Sequence, residues 1–386
     1  MLSRNPRLLT PGPLALAPEV KASMQSDLGS RDLAFRQVTR DIRRAIQDLA
    51  GAGPDYTTVL MQGSGTFAIE AVLSTLIKDT DKVLVCANGI YGETAAKILR
   101  RYRLPHAVLA YPIDAPVSVA AAEAILQQDP SITHLYVVHC ETTSGILNPL
   151  EELLALARRR GVTSIVDSMS AFGAIEVNTR RHPFDVLISS GNKCLEAPPG
   201  IAFAILRRSL LTPQNAVART YTLDLFDQWR SFEESGEWRT TPPTHVAQAL
   251  RAGLFALQRE TVAGRHARYV AIRDRLVGGM RPLGFAPILP QALQSPICVA
   301  FRNVALMPDA DSFADYYQHL RAARLLIYAR FHGPSQSFRI GCIGRIEPHW
   351  VDELVEATRG FAQRRRAPGG GAGPAQRHAA GPERLS

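Results

Sequence analysis

"DVLISSGNKCLEAPPGIAFAIL" occupies residues 185–206. It reads as two buried strands, "DVLIS" (185–189) and "IAFAIL" (201–206), joined by a loop that carries one lysine among glycines and prolines. The chain has only five lysines against 39 arginines, so where positive charge alone suffices it uses arginine. Lys193 therefore points to chemistry that needs an amine able to lose its proton, which a guanidinium cannot do at neutral pH.

The same rhythm extends outward. "KVLVC" (82–86), "HLYVV" (134–138) and "TSIVD" (163–167) read as further buried strands. Between the last two lies "NPLEELLALARRRG" (148–161), with an early proline, acidic residues in the first turn, arginines in the last and a terminal glycine. Those are helix start and stop signals with charges matched to the dipole. Strands alternating with helices over about residues 55–210 imply an α/β fold with a mostly parallel sheet covered on both faces. Ligands of such sheets gather beyond the carboxyl ends of the strands. "HCETTSG" (139–145) follows one strand, Asp167 ends the next, and Lys193 follows the fourth.

Beyond residue 250 the pattern changes. "PPTHVAQALRAGLFALQRETVAGRHARYVAIRDRLVGGM" (242–280) reads as one long helical stretch leading to a mixed segment, Pro282 to Gln363. The expected organisation is an N-terminal arm (1–15), a large domain (16–260), a smaller α+β domain (261–363) and a disordered Gly/Ala/Pro/Arg tail (364–386).

Composition narrows the class. With 46% hydrophobic residues the 386-residue chain can bury a substantial core. Its net charge of +9 is scattered, which argues against a nucleic-acid partner. No apolar run spans a bilayer or forms a signal peptide, so a cytoplasmic location without membrane attachment is expected. Five widely spaced cysteines give no disulfide framework, and the histidines show no metal-binding spacing, so no metal is expected.

"MQGSGTFAIEAVLSTLI" (61–77) sets a glycine-rich turn before a helix with apolar residues at Phe67, Ile69, Val72, Leu73 and Leu76. Free amides at such a helix start hold a phosphate, with Ser64, Gly65 and Thr66 as donors. The turn matches neither nucleotide-loop fingerprint in full, which favours the phosphate of a different cofactor. A lysine after a strand, an aspartate ending a neighbouring strand and a phosphate cradle are the parts that pyridoxal 5'-phosphate requires. Singly, each also reads as a solvated lysine, a turn-forming aspartate and a capped helix.

Together with "LLTPGPL", "NGIYGE", "HCETTSGILNPL", "IVDSMSAFGAIEV", "WRTTPPTH" and "FRIGCIG", these motifs resemble the class V branch of the fold-type I pyridoxal-phosphate aminotransferases over roughly residues 7–363. The resemblance implies a mostly parallel, mixed seven-stranded sheet, a smaller C-terminal domain and a homodimer with shared active sites. "GNKCLEAPPGIAF", "WRTTPPTH" and "FRIGCIG" resemble more narrowly the branch that uses 2-aminoethylphosphonate and pyruvate as substrates.

Carried over by motif, Lys193 corresponds to the Schiff-base lysine and Asp167 to the partner of the pyridinium nitrogen. Ser64, Gly65 and Thr66 correspond to the phosphate cradle, Thr142 to the residue near the ring hydroxyl and Asn192 to a phosphate neighbour. Thr241 corresponds to a phosphate ligand given by the other subunit. Tyr102 is the expected ring-stacking residue, with Tyr91 as the alternative and a core aromatic as the plainer reading. Arg339 corresponds to the arginine that grips the acidic end of the substrate, and Gly12 sits in the extended arm bordering the substrate pocket.

Two departures bear on the substrate. Relatives typically read "IYPGK" where this chain has "IYARFHG" (327–333), adding Arg330 and His332, and Cys342 stands where asparagine is usual. Another class V transaminase, using alanine, serine or a related phosphonate amino acid with glyoxylate or pyruvate, is the rival reading. A non-catalytic cofactor-binding regulator is the remote one.

Overall fold

The computed structural model describes residues 6–366. Seven strands build the main sheet: β1 (Tyr56–Gly63), β2 (Val83–Ala87), β3 (His106–Ala110), β4 (His134–Val138), β5 (Thr163–Asp167), β6 (Val186–Ser190) and β7 (Gly200–Arg207). Their order is β1-β7-β6-β5-β4-β2-β3. β7 runs antiparallel to both of its neighbours and the other pairs are parallel. β2, β4 and β6 are buried at every residue, as expected of strands covered on both faces.

The helices longer than two turns are α1 (Leu33–Leu49), α2 (Gly65–Leu76), α3 (Ile90–Arg101), α4 (Val119–Gln128), α5 (Leu150–Arg160), α6 (Leu225–Glu234), α7 (Thr244–Glu260), α8 (Val262–Met280), α9 (Ala310–Ala322) and α10 (Pro348–Arg366). α5 follows its sequence signals closely: Glu151 and Glu152 lie in its first turn, Arg158 to Arg160 in its last, and Gly161 stops it at φ +67°. α1 starts where the Asp32 side chain accepts the Ala34 N–H at 2.8 Å. It buries Phe35, Val38, Ile42 and Ile46 against the main core.

A second core surrounds an antiparallel four-stranded sheet, order β8-β9-β11-β10, formed by β8 (Ala286–Pro287), β9 (Cys298–Arg302), β10 (Phe331–His332) and β11 (Ser337–Gly341). Phe285, Phe301, Phe313, Tyr316 and Phe338 fill it beneath α8, α9 and α10. The N-terminal arm belongs to this body first: Arg7–Leu8 pairs in parallel with Leu325–Leu326, and the Leu9 carbonyl accepts the Gly341 N–H at 2.8 Å. It then crosses to the main sheet.

Two details correct the sequence reading. The stretch 242–280 is two helices, because Thr261 turns the chain at φ +69° and its side chain caps α8 by accepting the Gly264 N–H at 3.1 Å. Arg364, Arg365 and Arg366 form the last turn of α10 and are not part of a tail. The rest of the expected tail lies outside the described residues.

Candidate active site

The site forms where the parallel strands end. Asp167 is the last residue of β5, is 1% exposed, and receives the Met169 N–H at 2.9 Å on one oxygen and the Tyr136 hydroxyl at 3.1 Å on the other. Burial pushes its carboxyl up to about 6, against the pull of those two donors and of Lys193. Lys193 follows the neighbouring strand β6 and is half-buried. Burial lowers its pKa below the usual lysine value, with Cys298, Cys194 and Asp167 opposing and Arg339 assisting. A lysine so placed loses its proton more readily than one in water, which is the property the lysine-poor sequence implied.

The amine of Lys193 donates to the Pro11 carbonyl at 2.7 Å. Gly12, at φ +133°, passes so close that a Cβ there would lie 2.7 Å from Nζ. The arm thus needs glycine for both backbone angle and space.

Ser64, Gly65 and Thr66 open α2; the Phe67 N–H turns back to the Ser64 carbonyl at 3.0 Å, while the Gly65 and Thr66 amides have no backbone acceptor among the described residues. A Cβ on Gly65 would overlap Met169. That contact sets the helix start beside the residue whose N–H holds Asp167. Asn192 is half-buried next to Lys193.

Thr142 follows β4 and is fully buried, and its hydroxyl has no hydrogen-bond partner among the described residues. Its carbonyl accepts Nη1 of Arg339 at 2.7 Å. Arg339, on β11, is 7% exposed and its guanidinium lies 4.2 Å from the centroid of the Tyr328 ring. One of its five N–H donors is used on Thr142, leaving others for an anion.

Tyr102 is not with this group. It follows the far end of α3, where its hydroxyl donates to Glu70 at 2.6 Å. Tyr91 lies in the first turn of the same helix, and twelve residues of helix separate the two ends by about 18 Å. The Tyr91 N–H donates to Glu141 at 3.1 Å. Burial raises its phenol pKa, and Thr142, Arg339 and Tyr328 are the next influences on it. Of the two tyrosines, Tyr91 is the one near the site. Thr241 is exposed beside the end of β1, where its carbonyl accepts the Gln62 side chain at 2.9 Å.

Sequence reading passed over Tyr136, Glu141 and Tyr328. Glu141 is fully buried, accepts the Thr143 N–H at 2.9 Å and hydroxyl at 2.7 Å, and sits against Gly89. The available signal was a polar group in or near an apolar run: Tyr136 within "HLYVV" (134–138) and Glu141 three residues after it. All five cysteines are free and buried. Burial raises Cys86 and Cys194 to about 12 and Cys298 to about 11, so no thiolate is ready there at neutral pH. Among the described residues no helix is long and apolar enough to cross a membrane, and no group of His, Cys, Asp or Glu forms a metal site.

This architecture is shared with solved aminotransferases of fold type I. Alanine-glyoxylate aminotransferase from Nostoc sp. superposes with a TM-score of 0.85 at 21% identity, covering 94% of this chain and 96% of that one. The family described as aminotransferase class-V matches residues 17–320, and the chain belongs to it. Its relatives include proteins named 2-aminoethylphosphonate–pyruvate transaminase. That of Burkholderia thailandensis is 41% identical over 93% of this chain and 97% of its own length. That of Aeromonas hydrophila is 44% identical over 91% and 93%.

The cofactor of the class is pyridoxal 5'-phosphate, and the residues present fit it. A helix start suits its phosphate, a buried carboxylate suits its ring nitrogen, a lysine of lowered pKa suits its aldehyde, and the unpartnered Thr142 hydroxyl suits a ring substituent.

Proposed function

We propose that this chain transfers the amino group of 2-aminoethylphosphonate to pyruvate, giving phosphonoacetaldehyde and L-alanine. The observation that carries the proposal is the convergence of Lys193, Asp167 and Arg339 at the strand ends, held together by Pro11 and Thr142. The names borne by relatives of about 40% identity over nearly the whole chain support the substrate.

Pyridoxal phosphate, when bound, supplies the carbon that receives the amino group and a ring that accepts electrons. Lys193 would anchor it covalently, and its amine, when free and neutral, would take the proton from the amine-bearing carbon of the substrate at Nζ and deliver it to the cofactor's own carbon. Asp167 stays ionised beside the ring nitrogen and holds a proton there. The Gly65 and Thr66 amides with the Ser64 hydroxyl would hold the phosphate, with Asn192 alongside, and the Thr142 hydroxyl would serve a ring substituent. Tyr91 takes the stacking role first expected of Tyr102.

Arg339 grips phosphonate in one half-reaction and the carboxylate of pyruvate in the other, both as a fork of donors. Gly12 keeps the arm close to Lys193 at the edge of that pocket. The proposal includes a homodimer in which Thr241 reaches the partner's phosphate site. It also includes a division at residue 260/261 between two domains. A cytoplasmic location is part of it, supported by the free cysteines.

The test uses the reconstituted enzyme. Its bound-cofactor visible band should vanish with 2-aminoethylphosphonate and return with pyruvate, with stoichiometric alanine. A band that ignores the phosphonate and responds to alanine or serine would overturn the substrate and leave the class intact.

A further inference from the structure

β10 pairs with β11 so that Phe331 opposes Phe338 and His332 opposes Ser337. Phe331 and Phe338 both turn to the small core, where each contacts the Phe313 ring, at 5.8 and 5.5 Å between centroids. Side chains alternate along strands, so His332, Ser337 and Arg339 share the opposite face, the face of the site. Diagonal neighbours on paired strands lie about 7–8 Å apart, within reach of a common small anion for side chains as long as these.

The His332 ring is oriented by its neighbours. Its Nδ1 accepts the Ser335 N–H at 3.3 Å and lies 2.6 Å from the Ser335 hydroxyl. A ring nitrogen that accepts a backbone N–H carries no proton, so the proton of the neutral ring sits on Nε2. Nε2 has no hydrogen-bond partner among the described residues. Burial and then Arg339 lower the His332 pKa, with Glu93 opposing, so the neutral ring with its Nε2–H donor dominates at neutral pH.

Arg339 presents a planar fork, which satisfies the two oxygens of a carboxylate. A phosphonate has a third oxygen out of that plane. We propose that the Nε2–H of His332 donates to this third oxygen, making His332 the residue that selects a tetrahedral acid over a planar one. The assignment rests on the reading of Arg339 given above.

The experiment compares wild type, His332→Leu and His332→Gln as holoenzymes; glutamine restores an N–H donor near the Nε2 position. Loss of one hydrogen bond to an anion should raise KM for 2-aminoethylphosphonate on the order of tenfold in the leucine variant. KM for pyruvate should stay within about twofold, and the glutamine variant should recover most of the loss. Calorimetric titration with methylphosphonate and with acetate gives a second readout. The wild-type preference for methylphosphonate should fall about tenfold in the leucine variant.

An unchanged KM and preference, or an equal rise for phosphonate and pyruvate, would overturn the assignment. If the wild type makes no alanine from 2-aminoethylphosphonate yet its methylphosphonate preference depends on His332, the substrate reading fails and the His332 assignment stands.

Discussion

The Lys193 amine hydrogen-bonds to the Pro11 carbonyl at 2.7 Å, so a segment 182 positions away in sequence closes over the reactive side chain. Gly12 makes that closeness possible, since its φ of +133° disfavours a side chain and a Cβ there would lie only 2.7 Å from Nζ. Gly12→Ala should therefore push the lysine or the arm aside. A displacement of about 1 Å at a reacting group lowers turnover about a hundredfold. The expected result is that loss in kcat/KM, with the backbone strain at φ +133° lowering the stability of the folded body by about 1–3 kcal/mol. Activity within about threefold of wild type would show that the arm yields without moving Lys193.

Asp167 carries a stability cost when the cofactor is absent. Burial raises its carboxyl from 3.8 to about 6, so the folded state binds the proton more tightly than the unfolded state does. Stability then falls as pH rises from about 4 to about 6, and above that range the cost is about 3 kcal/mol. Asp167→Asn keeps a polar group for Met169 N–H and the Tyr136 hydroxyl while removing the charge. Cofactor-free Asp167→Asn should thus be more stable than wild type at pH 8 and indistinguishable from it near pH 4, with turnover reduced at least a hundredfold. Urea denaturation at both pH values measures the first effect. Equal stabilities at pH 8 would show that the carboxylate is not a buried cost.

The two tyrosines of α3 separate cleanly by experiment. Tyr91→Ala removes an aromatic next to Thr142 and Arg339 and should weaken cofactor retention about tenfold in equilibrium dialysis. Tyr102→Phe loses only the hydrogen bond to Glu70. It should cost about 1 kcal/mol of stability and leave retention unchanged. Reversed results would return the stacking role to Tyr102.

The sequence disclosed the centre of the fold better than its edges. The five strands read from it are the inner ones, whose burial on both faces demands continuous apolar runs. The two passed over, β1 and β3, are the edges of the sheet. β1 shortens its apolar run to Val59–Met61 behind the two threonines Thr57 and Thr58, and β3, apolar over 107–110, stands at the rim with Val108 and Ala110 exposed. At the site, the placement of Lys193 and Asp167 was legible because one follows a strand and the other ends one, each with a distinctive residue type. The contacts of Pro11 and Tyr328 were not: the first depends on how the arm crosses from the small body to Lys193, and the second on how the chain before β10 folds against Arg339. Tyr102, placed by approximate alignment, falls at the far end of α3 for a related reason: sequence puts a residue on a helix, whereas only the fold gives which end of it meets the site.

A buried charge cluster fixes that seating. Glu196, three residues after Lys193 and 3% exposed, accepts Arg268 at 2.8 Å and the Tyr269 hydroxyl at 2.6 Å. Arg268 also donates to the Gly344 carbonyl at 2.7 Å, five residues beyond Arg339, and Arg265 donates to the Cys194 carbonyl at 2.6 Å. Burial alone would raise the Glu260 carboxyl, yet Arg268 and Arg265 hold it below the ordinary range. The lysine turn, the break at Thr261 and the arginine strand are thus tied through one network. Removing one charge from a buried pair leaves the other uncompensated, so Glu196→Gln should lower stability by about 3–5 kcal/mol. Asp79, 91% exposed and paired with Arg219 at 2.6 Å, is the control, and Asp79→Asn should cost at most about 1 kcal/mol. Urea denaturation of both variants gives the comparison. A Glu196→Gln cost no larger than that of the surface variant would mean that water or local rearrangement already compensates the buried charges, and the network would not be what sets Lys193 against Arg339.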